Sequence, residues 1–167
     1  MNVTIPESFQ VSPFYQQTVV NIDAESLSFL DICQAIPFYY DITMEKRPWE
    51  EKDVFVPMLF ACWDKERPIL EQYYKDRNPL AAKEKMNSML ALLIDALFWL
   101  NGRQVTNLTG LTSSVQSLLY KPVNVEERLE FILLQAGKYH SYVQLKSLFI
   151  EVRKLYARVK IMELKEK

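Results

Sequence analysis

The sequence predicts an all-α, single-domain helical bundle. Three observations predict it. A long apolar stretch is fenced by helix-start and helix-stop signals, a second stretch repeats its apolar residues at spacings of three and four, and strand-like alternation is convincing nowhere. The 167 residues suit one compact domain. No repeat, low-complexity tract or Gly/Ser linker divides them, so residues 1–167 read as one unit. Hydrophobic residues make up 49% and charged residues 25%, a globular balance that excludes wholesale disorder. Only three glycines occur, which leaves little material for a phosphate-cradling loop.

The first twenty residues contain Pro6 and Pro13, which prevent a long helix. Val3, Ile5, Phe9, Val11, Phe14 and Tyr15 give residues 1–22 enough apolar surface to pack on the bundle as an extended arm. Asp23 is placed to cap a helix over 24–36, which ends before Pro37. Residues 38–42 (Phe-Tyr-Tyr-Asp-Ile) read as an aromatic connector. Pro48 opens the next helix, and Pro57 and Pro68 break the chain beyond it into pieces at 57–64 and 68–76. Asn78-Pro79 then reads as cap and first turn of a helix over 79–100, with Asn101-Gly102 as its stop. Leu90, Leu93, Ile94, Leu97, Phe98 and Leu100 surround most of that helix, so it belongs at the centre of the bundle. A polar loop is expected over 103–112, then a short helix from the capping box Ser113–Gln116 to about Tyr120. Helices over 125–136 and 141–162 come last. Asn124 caps the first, and Gly137 and a few residues separate the two, hence an antiparallel hairpin.

Composition narrows the function classes. The net charge of -1 gives no global attraction to nucleic acid or membrane, although residues 1–45 hold six acids and no base, and residues 138–167 hold eight bases and three acids. The longest apolar run, Met89–Leu100, is too short to span a bilayer, which needs about 20 residues. No basic residue precedes Lys46, so the start of a signal peptide is missing. Cys33 and Cys62 are flanked by apolar residues and read as free core thiols of a cytoplasmic protein.

Enzyme chemistry finds few supports. The single histidine, His140, stands in the turn before the last helix, beside Ser141, which reads as a cap. One His and two isolated Cys do not make a closed zinc site, and no Walker or GxGxxG sequence is present. The carboxylates Glu126-Glu127-Arg128-Leu129-Glu130 and Glu50–Asp53 show EExxE and ExxD spacing, which can hold Mg²⁺ on a helix face. The order is reversed and the gap large relative to nucleotide pyrophosphohydrolases, and acids in the first turn of a helix already complement its dipole. Asp95 is different, because it lies inside the most apolar helix. It must find a partner there, reach water at an edge, or neutralise; structural pairing with an Arg, a Lys or a Tyr hydroxyl is expected ahead of a role in a pocket.

The last helix repeats Tyr142, Leu145, Phe149, Val152, Tyr156 and Val159 as a packing seam, widened by Leu148, Leu155 and Met162. Lys146, Arg153, Lys160 and Lys167 recur every seven residues, with Lys154 and Arg158 nearby, a line of cations that is either a solvated face or a binding stripe. Arg47 and Trp49 stand in the Pro-bounded turn after Met44, where a half-exposed Trp beside cations suits partner binding.

Four segments, Phe38–Ile42, Arg47-Pro48-Trp49, Phe60–Trp63 and Leu97–Gly102, resemble the YpoC-like proteins of Gram-positive bacteria. These are packing and turn motifs, so the resemblance carries over no catalytic residue and no cofactor. The expected function is therefore that of a non-catalytic protein-interaction or adaptor module, using Arg47, Trp49, Lys146, Arg153, Arg158 and Lys160, as a monomer or homodimer. Weak nucleic-acid binding through the basic stripe is the alternative, and a Mg-dependent pyrophosphohydrolase-like enzyme comes third.

Overall fold

A computed structural model describes residues 1–166. Its order is set by the helix over Pro79–Leu100, which begins and ends where the sequence places it. The Asn78 side chain accepts from the Ala81 backbone N–H at 3.3 Å, and Gly102 leaves the helix in the left-handed region at φ 70°. Every residue from Met89 to Leu100 is buried, so this helix has no solvent face along that stretch and other elements must enclose it.

In chain order the elements are β1 (Asn2–Thr4), β2 (Val19–Asn21), α1 (Phe29–Ala35), α2 (Tyr39–Thr43), α3 (Lys52–Lys75), α4 (Pro79–Leu100), α5 (Leu111–Gln116), α6 (Val125–Leu134) and α7 (Tyr139–Lys165). α3, α7, α1 and the 3-10 turn Pro48–Glu50 pack directly on α4. α6 packs on α7 as the expected hairpin; α6 ends two residues earlier than expected, and α7 starts two residues earlier and ends three later.

Several local expectations are corrected. The arm is a two-stranded antiparallel ribbon with Val3 opposite Val20, too short for alternation to register in sequence. Its Val3, Ile5, Phe9, Tyr15 and Ile22 are buried in the same core as α4. The helix expected over 24–36 is a 3-10 turn followed by α1. Ser28 rather than Asp23 is the cap, in a reciprocal capping box with Asp31. The 38–42 connector is largely the short helix α2. Neither Pro57 nor Pro68 breaks α3. Each removes one helical hydrogen bond, but Phe55, Val56, Leu59, Phe60, Trp63 and Leu70 are buried along its length and hold it against the rest of the bundle. The short helix starts at Leu111, not at the Ser113 box, and ends at Gln116. His140 and Ser141 lie in the first turn of α7. Ser141 is fully buried and donates to the Gln135 carbonyl at 2.7 Å, so it ties α6 to α7 rather than capping the latter.

The loop over 103–112 is polar in sequence yet folds inward at two points. Val105 and Leu108 are buried, and the Leu108 N–H donates to the Ser8 carbonyl at 2.9 Å, joining the loop to the arm. Both cysteines are free and buried. Burial pushes the Cys62 thiol up to about 11. Among the described residues no helix is long and apolar enough to cross a membrane.

Enclosure of α4 has a direct test. Leu93→Ala removes a fully buried side chain and is expected to cost about 2–5 kcal/mol in urea unfolding. Leu119→Ala, at a side chain 80% exposed, should stay within about 0.5 kcal/mol.

Candidate functional site

α7 has two faces. Its inner face buries Tyr142, Leu145, Leu148, Phe149, Val152, Leu155, Tyr156 and Val159, the seam read from the sequence, except that Met162 is exposed. The outer face carries an apolar row that the seam reading missed. Val143, Ile150 and Leu164 are 47%, 50% and 62% exposed, and the exposed Ala157 completes the seven-residue spacing. Seven residues are nearly two helical turns, so the four form a line with steps of about 10.5 Å. Helical geometry places Lys146, Arg153 and Lys160 along one side of this line and Lys154 and Arg158 along the other. The signal was present in the sequence: Ile150, Ala157 and Leu164 each stand four residues after a stripe cation.

The side of the stripe nearer α3 is partly occupied by carboxylates. Arg153 forms a two-pronged pair with Asp64, at 3.1 and 2.8 Å, and its guanidinium lies 5.1 Å from the centre of the Phe60 ring. Lys146 Nζ lies 3.8 Å from Glu71. Glu71 also accepts from the Tyr142 hydroxyl and pairs with Arg67 at 2.8 Å. The Tyr142 hydrogen bond, with Arg67 assisting, holds the Glu71 carboxyl below its usual range. Lys154, Arg158 and Lys160 are exposed and enter none of the ion pairs among the described residues. Lys167 lies outside the described residues.

Between α3 and α7 this face is hollowed. A concavity of about 300 Å³ is lined by Ile150, Ala157, Lys146, Arg153 and Lys154. Beneath it Trp63 stacks on Phe149, with ring centres 4.2 Å apart and planes 8° from parallel. The stack makes an apolar floor, and Asp64 joins Lys146, Arg153 and Lys154 on the rim.

The turn at Arg47 and Trp49 is not part of this face, and Trp49 is corrected. Met44, Lys46 and Arg47 take left-handed backbone, which turns the chain back and sets Trp49 into the core at 7% exposure. Arg47 stays outside, paired with Glu50 at 2.9 Å and 5.9 Å from the Trp49 ring centre.

Asp95 is buried as its sequence context implies, but its neighbour is another carboxyl, that of Asp41 on α2. No Lys or Arg occurs in residues 1–45, and these supply α1, α2 and the arm around this end of α4, so no cation is at hand from them. Asp41 Oδ1 accepts from Trp99 Nε1 and from the Val105 backbone N–H, both at 3.0 Å. Gln104 donates to the Asp41 carbonyl at 2.6 Å. The other oxygen of Asp41 and one oxygen of Asp95 have no partner besides each other's carboxyl. One proton shared between the two satisfies both. Burial pushes both carboxyls up, and the Asp41 charge pushes Asp95 further, while the two N–H donors favour the charged form of Asp41. The two N–H donors to Asp41 thus make Asp95 the member whose neutral form is favoured. Burial first, and the adjoining Asp95 second, also raise Tyr15 on the arm and Cys33 on α1. The pair thus joins α2, α4 and the 103–112 loop at one buried point. Asp41 was missed because it stood in an aromatic run that read as a connector.

The carboxylates weighed for metal chemistry are dispersed. Asp53 accepts from the Tyr156 hydroxyl at 2.7 Å, Glu50 pairs with Arg47, and Glu126 lies 3.7 Å from Lys121. Glu127 and Glu130 lie on α6, both exposed and neither ion-paired among the described residues. The close ion pair between α6 and α7 joins Arg128 of α6 to Glu151 of α7.

The family model for YpoC-like proteins matches residues 53–164, which takes in nearly all of α3 and α7 and the whole of α4, α5 and α6. The chain belongs to the YpoC-like family. It is 30% identical over 157 residues to the uncharacterised protein YpoC of Bacillus subtilis (strain 168), covering 92% of this chain and 96% of that protein. No solved structure matches. The matched region contains the whole outer row of α7, together with Asp64 and Asp95.

The carboxyl pair makes stability depend on pH with a definite sign. A carboxyl whose folded pKa is raised contributes stability that is complete below its unfolded value, about pH 4, and lost as pH rises through the folded value. Asp95→Asn cannot ionise and still offers an N–H to Asp41. Its unfolding midpoint relative to the native chain should therefore rise steadily between about pH 4 and pH 8. A difference independent of pH would contradict the shared proton. Asp41→Ala strands the Trp99 and Val105 N–H donors and is expected to cost about 2 kcal/mol or more.

Proposed function

We propose that this chain is a non-catalytic helical module that binds another protein through the outer face of α7. The observation that carries this reading is the row Val143, Ile150, Ala157 and Leu164, apolar and solvent-facing along four successive heptads of a 27-residue helix. An exposed apolar line rimmed by charge is characteristic of a docking surface. The hollow over the Trp63–Phe149 stack gives it a central pocket, the place where interface anchors concentrate binding energy.

The basic stripe retains a part in this reading, as the rim. Binding to a nucleic-acid backbone through it is less well supported, because phosphates have no use for the apolar row. The engagement of Asp53, Glu50 and Glu126 with neighbouring side chains supports a non-catalytic role. The setting proposed is the cytoplasm, and two unpaired buried thiols accord with it.

A photo-crosslinking residue placed at Ile150 in growing cells tests the reading, with the same residue at Leu119 as control. A distinct adduct with another protein is expected at position 150 and not at 119. Equal labelling at both positions, or an adduct formed only with a second copy of this chain, would overturn it.

A further inference from the structure

Resting on the reading that the α7 outer face docks a protein, we infer that its occupant is an acidic amphipathic helix. The row repeats every seven residues, which is the spacing at which a second helix laid along α7 presents its own apolar side chains. Cations border the row on both sides: Lys146, Arg153 and Lys160 on one, Lys154 and Arg158 on the other. A partner helix with apolar anchors in the middle and carboxylates on both shoulders satisfies the row and both borders together. Ala157, the smallest member of the row, lines the hollow of about 300 Å³, so a bulky anchor enters there above Trp63 and Phe149.

Two other macromolecular surfaces carry negative charge, and the geometry favours neither. A bilayer is broad and cannot follow a hollow between two helices. A duplex offers phosphates but nothing apolar for Ile150 and Leu164. Asp64 supplies the sharpest distinction. It is 56% exposed and holds Arg153, so it competes with any acidic occupant for that guanidinium. Removing its charge frees Arg153 and takes one repulsive carboxylate from the border.

The probe is a synthetic peptide of about four heptads with Leu at the seam and Glu on both flanks, titrated by fluorescence anisotropy. Comparison peptides are an isomer of identical composition with the heptad scrambled and a version with Lys flanks. Phosphatidylglycerol–phosphatidylcholine vesicles and duplex DNA are titrated alongside. The Glu-flanked peptide should bind at least about tenfold more tightly than either comparison peptide and more tightly than vesicles or DNA. Lys154→Glu/Arg158→Glu should weaken it about tenfold or more, Ile150→Gln should abolish it, and Asp64→Asn should tighten it. Each variant changes exposed side chains, and an unchanged urea midpoint confirms its fold. Equal binding of the scrambled isomer, weaker binding by Asp64→Asn, or preference for vesicles or DNA would overturn the inference. A specific adduct at Ile150 in cells, combined with no preference for the acidic peptide, would overturn the partner chemistry alone. Loss of both would remove the docking face as well.

Discussion

The rest of the structure depends on one constraint: the second half of α4 has no polar face. From Met89 to Leu100 every side chain is buried, and burying a single Leu, Ile or Phe contributes about 1.5–3 kcal/mol. A helix of this kind is stable only inside a sheath. α3 and α7 supply the long walls, α1 and the Pro48–Glu50 turn pack beside them, α2 and the 103–112 loop meet α4 at Asp95 and Trp99, and each wall must turn an apolar face inward. The amphipathy of α3 and α7 is thus set by α4. The single ionisable group on that stretch, Asp95, is the exception that the sheath must accommodate, and it does so with Asp41 and a proton rather than with a counter-charge.

Each feature was legible in the sequence to the extent that it is locally determined. α4 was legible to the residue because its cap, its first-turn proline and its stop are all local chemistry. The inner seam of α7 was legible because the packing it serves repeats with the helix itself. Pro57 and Pro68 misled because the penalty for proline is local whereas the burial that overrides it is spread along α3. Trp49 misled for the opposite reason: three left-handed residues reverse the chain and insert it, and none of Met44, Lys46 or Arg47 announces that conformation. The partner of Asp95 stands far away along the chain and becomes evident only once α2 is folded onto α4. Its identity as an acid had a trace in composition, since the covering segment contains no base.

The outer row of α7 is a different case, because nothing hid it. The strongest apolar pattern on a helix absorbs the reading, and a second, weaker pattern offset around the helix passes for ordinary surface. Only exposure separates the two. Inside the fold, Tyr142, Phe149 and Tyr156 complete the sheath. Outside it, Val143, Ile150, Ala157 and Leu164 face solvent yet keep the same heptad spacing. A surface that stays apolar without serving the fold is the basis for reading this member of the YpoC-like family as an interaction module.

That reading requires the row to be free of any structural duty. Urea unfolding of the Val143→Gln/Ile150→Gln/Leu164→Gln variant, run at several protein concentrations beside the native chain, tests this most directly. Stabilities equal within about 1.5 kcal/mol are predicted, the sum expected for three exposed substitutions, with midpoints independent of concentration. A loss of several kcal/mol, or a native midpoint that rises with concentration while the variant's does not, would mean that the row is already covered in the isolated protein.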